Sequence, residues 1–270
     1  MSNAIPASGL GHALDIGSTA KIPFLRLVAV ELRKTWDTRA GLWLLISTAL
    51  LTAAVMVIQL AVVVAQDLNV SYNDFLTSTS FSMGLLLPVL GILLLTSEWS
   101  QRTAMVTFSL EPRRPLVIAA KFVVGIALAV IAVVIALGLA TVCNLLYGAL
   151  SGATVEWDLG LANVGGFLLL QVIGMLTGFA FAALLLNSPA AIVLYMVYSF
   201  VLPGLFGLGA ALIGWFADLQ PWIDFNYALT PLIDASMTGE DWAHFATSGL
   251  IWLVLPLAIG VWRVLRAEVK

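Results

Sequence analysis

The stretch 122-FVVGIALAVIAVVIALGLATVCNLLY-147 contains 26 consecutive residues without a charge. A helix of about 20 apolar residues is long enough to cross the hydrocarbon core of a bilayer, so this stretch predicts a membrane-spanning helix. The rest of the chain has the same character, since 61% of its 270 residues are hydrophobic and only 10% are charged. Soluble domains carry about 25% charged residues. The sequence therefore predicts an all-α integral membrane protein.

Charged residues mark the ends of the apolar runs on both sides of this stretch. Together with the runs before and after it, this stretch makes six uncharged runs of membrane-spanning length. Charged or polar segments separate them. The predicted spans are 41–65, 77–97, 122–147, 162–186, 190–216 and 245–262. The uncharged run 159–217 is too long for one span and is divided at 187-NSP-189, which carries a turn signal. Pro88 and Pro256 are expected to bend the spans that contain them.

Lysine and arginine lie on one side of this arrangement. With six spans, both termini and the loops 98–121 and 187–189 share a side, and all 12 basic residues fall there. The opposite side holds nine acidic residues, namely Asp67, Asp74, Glu156, Asp158, Asp218, Asp224, Asp234, Glu240 and Asp241. Cytoplasmic loops are enriched in Lys and Arg, so we expect both termini to be cytoplasmic, in a multi-pass protein of a bacterial cell membrane. Residues 1–20 predict a disordered cytoplasmic tail, and residues 21–270 a single transmembrane domain.

Two segments outside the spans are also predicted to lie at a membrane surface. In residues 22–39, the apolar positions follow helical spacing and the arginines lie on another face: Leu25, Val28, Ala29, Leu32 and Trp36 against Arg26 and Arg33. This pattern predicts an amphipathic helix in the cytoplasmic interface; the alternative is an ordinary basic anchor before a membrane helix. The long outer loop 217–244 is rich in Trp and Tyr, which predicts short re-entrant or interfacial helices.

The predicted spans contain no Asp, Glu, Lys, Arg or His. Ionisable residues inside a membrane commonly mark ion pathways or proton relays, so their absence argues against a carrier powered by an ion gradient. The chain also lacks paired intramembrane aspartates, a zinc-binding HExxH motif and a phosphate-binding loop. Cys143 is single, and His12 and His244 lie outside the spans. We therefore expect no catalytic residues, no metal and no cofactor in this chain.

One charged segment interrupts the apolar pattern on the basic side, 98-EWSQRTAMVTFSLEPRRPLVIAAK-121. Four of its residues are spaced as on one stripe of a helix, namely Trp99, Thr103, Val106 and Leu110. Glu98 and Arg102 have the favourable i, i+4 order, and 112-PRRP-115 ends the helix. The segment predicts a short amphipathic helix with a sharp exit, and Lys121 is expected at the membrane interface. The simpler alternative is a positively charged anchor with no partner.

The pattern Glu98…Arg102-Thr103…Phe108…Pro112-Arg113-Arg114…Lys121 resembles the first cytoplasmic loop of permease subunits of type-2 ABC exporters, the drug, lipid and polysaccharide family. The six spans, the interfacial helix and the outer segment 217–244 are similar to that family as well, so the resemblance covers about residues 22–266. It implies that loop 98–121 is a coupling helix that docks onto a separate ATP-binding subunit. The implied contact residues are Glu98, Arg102, Arg113 and Arg114, with Trp99 and Phe108 as apolar support.

The same resemblance implies the partners and the direction of transport. ATP and Mg²⁺ would be bound by the partner subunit, and a second permease chain, identical or homologous, would complete the substrate path. We expect export of an amphipathic or lipid-like substrate, with membrane lipid around the chain and no nucleic-acid partner. The sequence leaves two other functions open, a stand-alone channel or secondary carrier, and a membrane scaffold or immunity-type subunit that binds a partner without transporting.

Overall fold

A computed structural model describes residues 22–101, 103–158 and 160–267. The predicted tail at residues 1–20 lies outside these ranges. Within them the chain forms helices and no strand, which confirms the all-α class. In chain order the α-helices are α1 (Phe24–Asp37), α2 (Arg39–Gln66), α3 (Tyr72–Ser78), α4 (Ser80–Ser100), α5 (Ala104–Leu110), α6 (Arg114–Ser151), α7 (Leu161–Leu185), α8 (Ser188–Met196), α9 (Leu202–Leu212), α10 (Gly214–Ile223), α11 (Phe225–Ala228), α12 (Thr230–Ile233), α13 (Gly239–Gly249) and α14 (Leu255–Arg266).

Six helical segments of the described residues are long and apolar enough to cross a membrane, as predicted. They are α2, α4, α6, α7, the continuous segment Ser188–Leu212 and the continuous segment Gly239–Arg266. Because the number of spans is even, the end of α1, the loop at 101–113 and the end of α14 lie on the same side. We refer to this side of the bundle as the basic side.

The third span is much longer than predicted. It begins at Arg114 instead of 122 and continues to Ser151, so that α6 has 38 residues. At 1.5 Å per residue the helix is about 57 Å long, whereas the hydrocarbon core is about 30 Å thick. Its first turns therefore project beyond the core on the basic side, and Lys121 lies within the helix instead of at its start.

The fifth and sixth spans each contain a wider helical turn just before a proline. A π-helical segment at Val197–Val201 precedes Pro203, and another at Leu250–Val254 precedes Pro256. The N–H of Leu202 bonds to the carbonyl of Val197, five residues back. Proline has no N–H and its ring crowds the preceding turn, so the wider turn accommodates it without breaking the helix.

Two predicted boundaries of these spans are wrong. The fifth span ends at Leu212 instead of 216, and Gly214 begins the separate helix α10. The sixth span begins at Gly239 instead of 245, because Thr238 and Asp241 form a capping box that starts α13 several residues earlier.

The spans α4 and α7 pack closely against each other. A Cβ atom at Gly178 would lie 2.2 Å from the carbonyl oxygen of Pro88, and one at Gly91 would lie 2.5 Å from that of Met175. Only glycine fits at these two positions, and Pro88 itself lies inside the continuous helix α4. This contact places α4 and α7 in the interior of the bundle.

The outer segment forms short helices, as predicted for 217–244. α11 and α12 fold back against the bundle and bury Phe225 and Leu232. A Cβ atom at Gly166 of α7 would lie 2.1 Å from the carbonyl oxygen of Leu232, so α12 rests directly on the backbone of a membrane span. α11 and α12 are therefore part of the packed core.

Candidate functional site

On the basic side, α1 turns polar residues towards the bundle. Glu31 and Thr35 are its buried residues, whereas Leu25 and Trp36 are 78% and 47% exposed. Exposed apolar side chains of this kind are what an interfacial helix presents to lipid. The polar residues face α2 and α6, and they need partners there because a buried charge without one is costly.

The partners of α1 are two charged residues from the membrane spans. Lys121 of α6 places its Nζ 2.6 Å from Oε2 of Glu31 and 3.4 Å from Oε2 of Glu98 on α4. Lys34 places its Nζ 2.7 Å from Oε1 of Glu31 and 2.8 Å from Oε1 of Glu98. The four side chains alternate in charge and sum to zero. We call Glu31, Lys34, Glu98 and Lys121 the charge network.

Three of the four members of the charge network are shielded from solvent. The side chains of Lys121, Glu31 and Glu98 are only 2%, 5% and 6% exposed. Lys121 also donates to the carbonyl oxygen of Leu94 at 3.1 Å. Removing one partner of a buried ion pair leaves the other charge uncompensated, which costs about 3–5 kcal/mol.

Lys34 lies at the open edge of the network. Its burial disfavours the charged form, but hydrogen bonds to Glu31 and Glu98, together with their charges, outweigh that effect and raise the pKa of Lys34 above its ordinary value. Lys34 is therefore protonated at neutral pH.

The short helix α5 is attached to the network and to the start of α6. Thr107 donates from Oγ1 to Oε1 of Glu98 at 2.9 Å. Phe108 packs on Trp99 with ring centroids 5.8 Å apart and lies with Val117 of α6 in a small apolar cluster. The guanidinium of Arg114 covers the other side of the Phe108 ring, 4.9 Å from its centroid.

The arginines after α5 make contacts within the chain. Arg113 donates to both carboxylate oxygens of Glu111, at 2.7 and 2.8 Å, and to the carbonyl oxygen of Ile22. The hydrogen bond with Arg113 lowers the pKa of Glu111 and raises the pKa of Arg113. Arg114 donates to the carbonyl oxygens of Leu265 and Ala267, so that the loop is linked to both ends of the described chain.

The predicted site residues therefore have different positions. Trp99 and Phe108 pack together beneath the loop, and Arg113 and Arg114 are partly exposed beside it. Glu98 is buried, so its side chain is held by two lysines and does not face an external partner in this conformation. Arg102 lies outside the described residues.

The predicted shape of the loop needs correction. α4 continues to Ser100 and α5 begins only at Ala104, so the expected stripe from Trp99 to Leu110 is divided between two helices. α5 buries Ala104 and Phe108, whereas Val106 and Leu110 are 60% and 74% exposed. A single helix was expected because the spacing is helical on both sides of the break.

The sequence reasoning missed three members of the network, Glu31, Lys34 and Lys121. The i, i+3 spacing of Glu31 and Lys34 was a signal for a local pair. Glu98 and Lys121 also mark the ends of predicted spans, and Lys34 precedes Glu98 by 64 positions, so the sequence gives no sign of their contact. Charged residues at span ends can pair with each other across the bundle as well as contact water.

A cavity of about 380 Å³ opens beside the network. Its walls include Lys34, Glu98 and Lys121 together with Thr103 of the loop and Ser188 at the start of the fifth span. Oε2 of Glu98 has no hydrogen-bond partner among the described residues. The described residues contain no cluster of His, Cys, Asp or Glu suited to a metal ion.

No protein-family model matches this chain, and no curated protein matches it either.

Proposed function

We propose that this chain is the membrane-spanning permease subunit of an ATP-driven exporter of the type-2 ABC class, powered by a separate ATP-binding subunit. The observation that carries the proposal is the attachment of α5. Through Thr107 and Glu98 this short helix is linked to α1, α4 and α6 at a single point. A force applied to α5 would reach two spans and the interfacial helix together.

The position of α5 suits an external contact. It packs on the part of α6 that projects beyond the hydrocarbon core, through Phe108 and Val117. Its outer surface carries Met105, Val106 and Leu110, which are 53%, 60% and 74% exposed. A soluble ATPase subunit could reach this surface without entering the bilayer.

Two features of the sequence agree with an external source of energy. The chain has no phosphate-binding loop, so it cannot bind ATP through that motif. The six predicted spans hold no Asp, Glu, Lys, Arg or His, and the charged residues Glu98 and Lys121 are close to the basic-side ends of α4 and α6. They are neutralised by α1 and do not continue across the bundle.

The proposed assembly contains two permease chains, identical or homologous. The segments Arg39–Gln66 and Ser188–Leu212 are 28% and 17% buried within one chain, against 56% for α4 and for α7. The sixth span is also 17% buried, so the first, fifth and sixth spans have the most surface available to lipid or to a second copy. The expected cargo is amphipathic or lipid-like.

The proposal is tested by purifying the full chain from its native membranes in mild detergent. We expect an ATP-binding subunit to co-purify and to show ATP hydrolysis that depends on this chain. Leu110→Asp in α5 should abolish co-purification and ATP hydrolysis. Leu161→Asp makes the same change at a 93% exposed position on the opposite side, and it should leave co-purification and ATP hydrolysis intact. Equal behaviour of the two variants would reject docking at α5.

A second candidate is a carrier powered by an ion gradient, because the charge network places a buried lysine and two buried glutamates inside the protein. Uptake or release of substrate by ATPase-free liposomes under a pH or sodium gradient would support it. A scaffold or immunity-type role would instead be indicated if a catalytically inactive ATPase subunit gave full biological activity with this chain.

A further inference from the structure

A second cavity lies deeper in the membrane, between α4, α7, the fifth span and α11. It has a volume of about 180 Å³, several times the space that one water requires. Gln171 is one of its lining residues and lies about 15 Å from the start of α7 at 1.5 Å per residue. The cavity therefore extends from the middle of α7 to Ser80 at the start of α4 and to Asn226 of α11.

The walls of this cavity combine apolar side chains with uncharged polar ones. None of the described residues that line it is Asp, Glu, Lys, Arg or His. Its hydrogen-bonding side chains are Ser80, Gln171, Thr177, Tyr195, Tyr198, Ser199 and Asn226. Burying a charge without a charged partner is costly, so these walls favour a neutral group.

Two polar atoms of these walls have no hydrogen-bond partner among the described residues. They are Nε2 of Gln171, whose residue is 2% exposed, and Oγ of Ser80. An amide nitrogen can only donate, and an unsatisfied buried donor is costly. Thr177 and Tyr195 already donate to the backbone, to the carbonyl oxygens of Ile173 and Gly84. Gln171 therefore brings a donor without a partner to the wall of the cavity.

The edge of the cavity is aromatic. Phe81 and Phe200 are 66% and 44% exposed and pack edge to face with centroids 5.9 Å apart. Phe200 belongs to the π-helical turn Val197–Val201, which also supplies Tyr198 and Ser199 to the wall. Such turns occur frequently at functional sites. An apolar body could lie against these rings while its head enters the cavity.

We propose that this cavity binds the head of an uncharged amphipathic molecule through a carbonyl oxygen, with Gln171 as the donor and Phe81 and Phe200 against the apolar body. This proposal rests on the proposed transport function, because it names the substrate class as neutral amphipaths that carry an ester or amide oxygen. Charged amphipaths of equal length are excluded from it.

The probe is a ten-carbon monoacylglycerol with a photoreactive diazirine beside its ester. It is added to the full purified chain in detergent, without ATP or any ATPase, and labelled peptides are mapped. We expect labelling within 80–84, 171–177 and 195–200, and at least tenfold less with a trimethylammonium probe of the same chain length. Because no ATPase is present, failure of this experiment does not bear on docking at α5, and failure of docking does not bear on labelling.

Two matched pairs of variants test the residues. Gln171→Leu removes the donor and should lower labelling about three- to tenfold, whereas Gln59→Leu on α2 should not. Gly84→Leu should fill the cavity, since a Cβ atom at this position meets nothing within 4 Å. Gly138→Leu on α6 is the control, because a Cβ atom there is equally unhindered and Gly138 does not line the cavity. If Gln171→Leu does not fold, labelling of Gly84→Leu compared with Gly138→Leu tests the proposal. Equal labelling by the charged probe, or labelling unchanged in Gly84→Leu, overturns the proposal.

Discussion

Lys121 Nζ lies 2.6 Å from Glu31 Oε2, although 90 residues separate them in the sequence. The contact joins the third span to the helix that precedes the first span. Glu98 and Lys34 complete the network, and Thr107 connects it to α5. The elements on the basic side are therefore connected by charge-assisted hydrogen bonds, which are stronger than neutral ones.

Lys121→Met should be the most damaging single change in the network. It leaves the two buried carboxylates, Glu31 and Glu98, with Lys34 as the one remaining cation of the network, and we expect a loss of about 3–5 kcal/mol. Thermal unfolding of the purified chain in detergent measures this. Arg33→Met is the control, since Arg33 pairs with Asp37 at a side-chain exposure of 76% and should change stability by less than about 1 kcal/mol.

Glu31→Gln combined with Lys121→Met should be less harmful than the sum of the two single changes. The double variant removes both members of the closest pair, so neither charge is left opposite an empty position. A double-mutant cycle from the four unfolding curves should give a coupling of about 0.5–3 kcal/mol. Strict additivity would mean that the 2.6 Å contact contributes nothing to folding.

Thr107→Val should loosen α5 without unfolding the bundle. Valine keeps the shape of threonine but removes the hydrogen bond to Glu98. Amides of residues 104–110 should exchange with deuterium about two- to tenfold faster. Thr48→Val, which removes only a bond within α2, should leave α5 unaffected. Unchanged exchange in α5 would show that Trp99 and Phe108 alone hold the helix.

Gly178→Ala should separate α4 from α7. The new methyl group would lie 2.2 Å from the carbonyl oxygen of Pro88, and overpacking of this kind costs about 1–3 kcal/mol or more. Gly204→Ala introduces the same methyl group where nothing lies within 4 Å. We expect a lower unfolding temperature for the first variant alone. A similar temperature for both would mean that α4 and α7 can move apart freely.

The stability contributed by Lys34 should depend on pH in one direction. Its pKa is raised in the folded protein, so the contribution is fully present below its unfolded value of about 10.5 and is lost as pH rises through the folded value. The difference in unfolding temperature between the wild type and Lys34→Met should therefore be constant from pH 7 to 9 and shrink above pH 10.5. A difference that grows with pH would contradict the network.

The six spans could be predicted because each apolar run carries its own signal. Transfer of about 20 apolar residues into a bilayer depends on those residues alone, and the charges that bound each run mark its limits. The boundaries were less certain. α6 extends to Arg114 and α13 begins at Gly239 because caps and prolines extend helices beyond the apolar runs.

The candidate site was predicted only in part. The loop at 98–121 was identified from its charges and prolines, and Trp99 and Phe108 pack there together. The burial of Glu98 was not foreseen, because its two lysines lie 64 residues before it and in the next span. The intramembrane cavity was invisible as well, since Ser80, Gln171 and Tyr198 come from separate spans.

The sequence by itself determined that this chain is an all-α protein with six membrane-spanning helices and that its basic residues share one side. Tertiary structure alone decided which charges neutralise each other, that α5 is linked to Glu98 through Thr107, and which polar side chains meet inside the bundle. The reason is physical. Hydrophobic transfer is a property of a local segment, whereas ion pairs and cavities depend on distances between residues that only packing of the helices brings together.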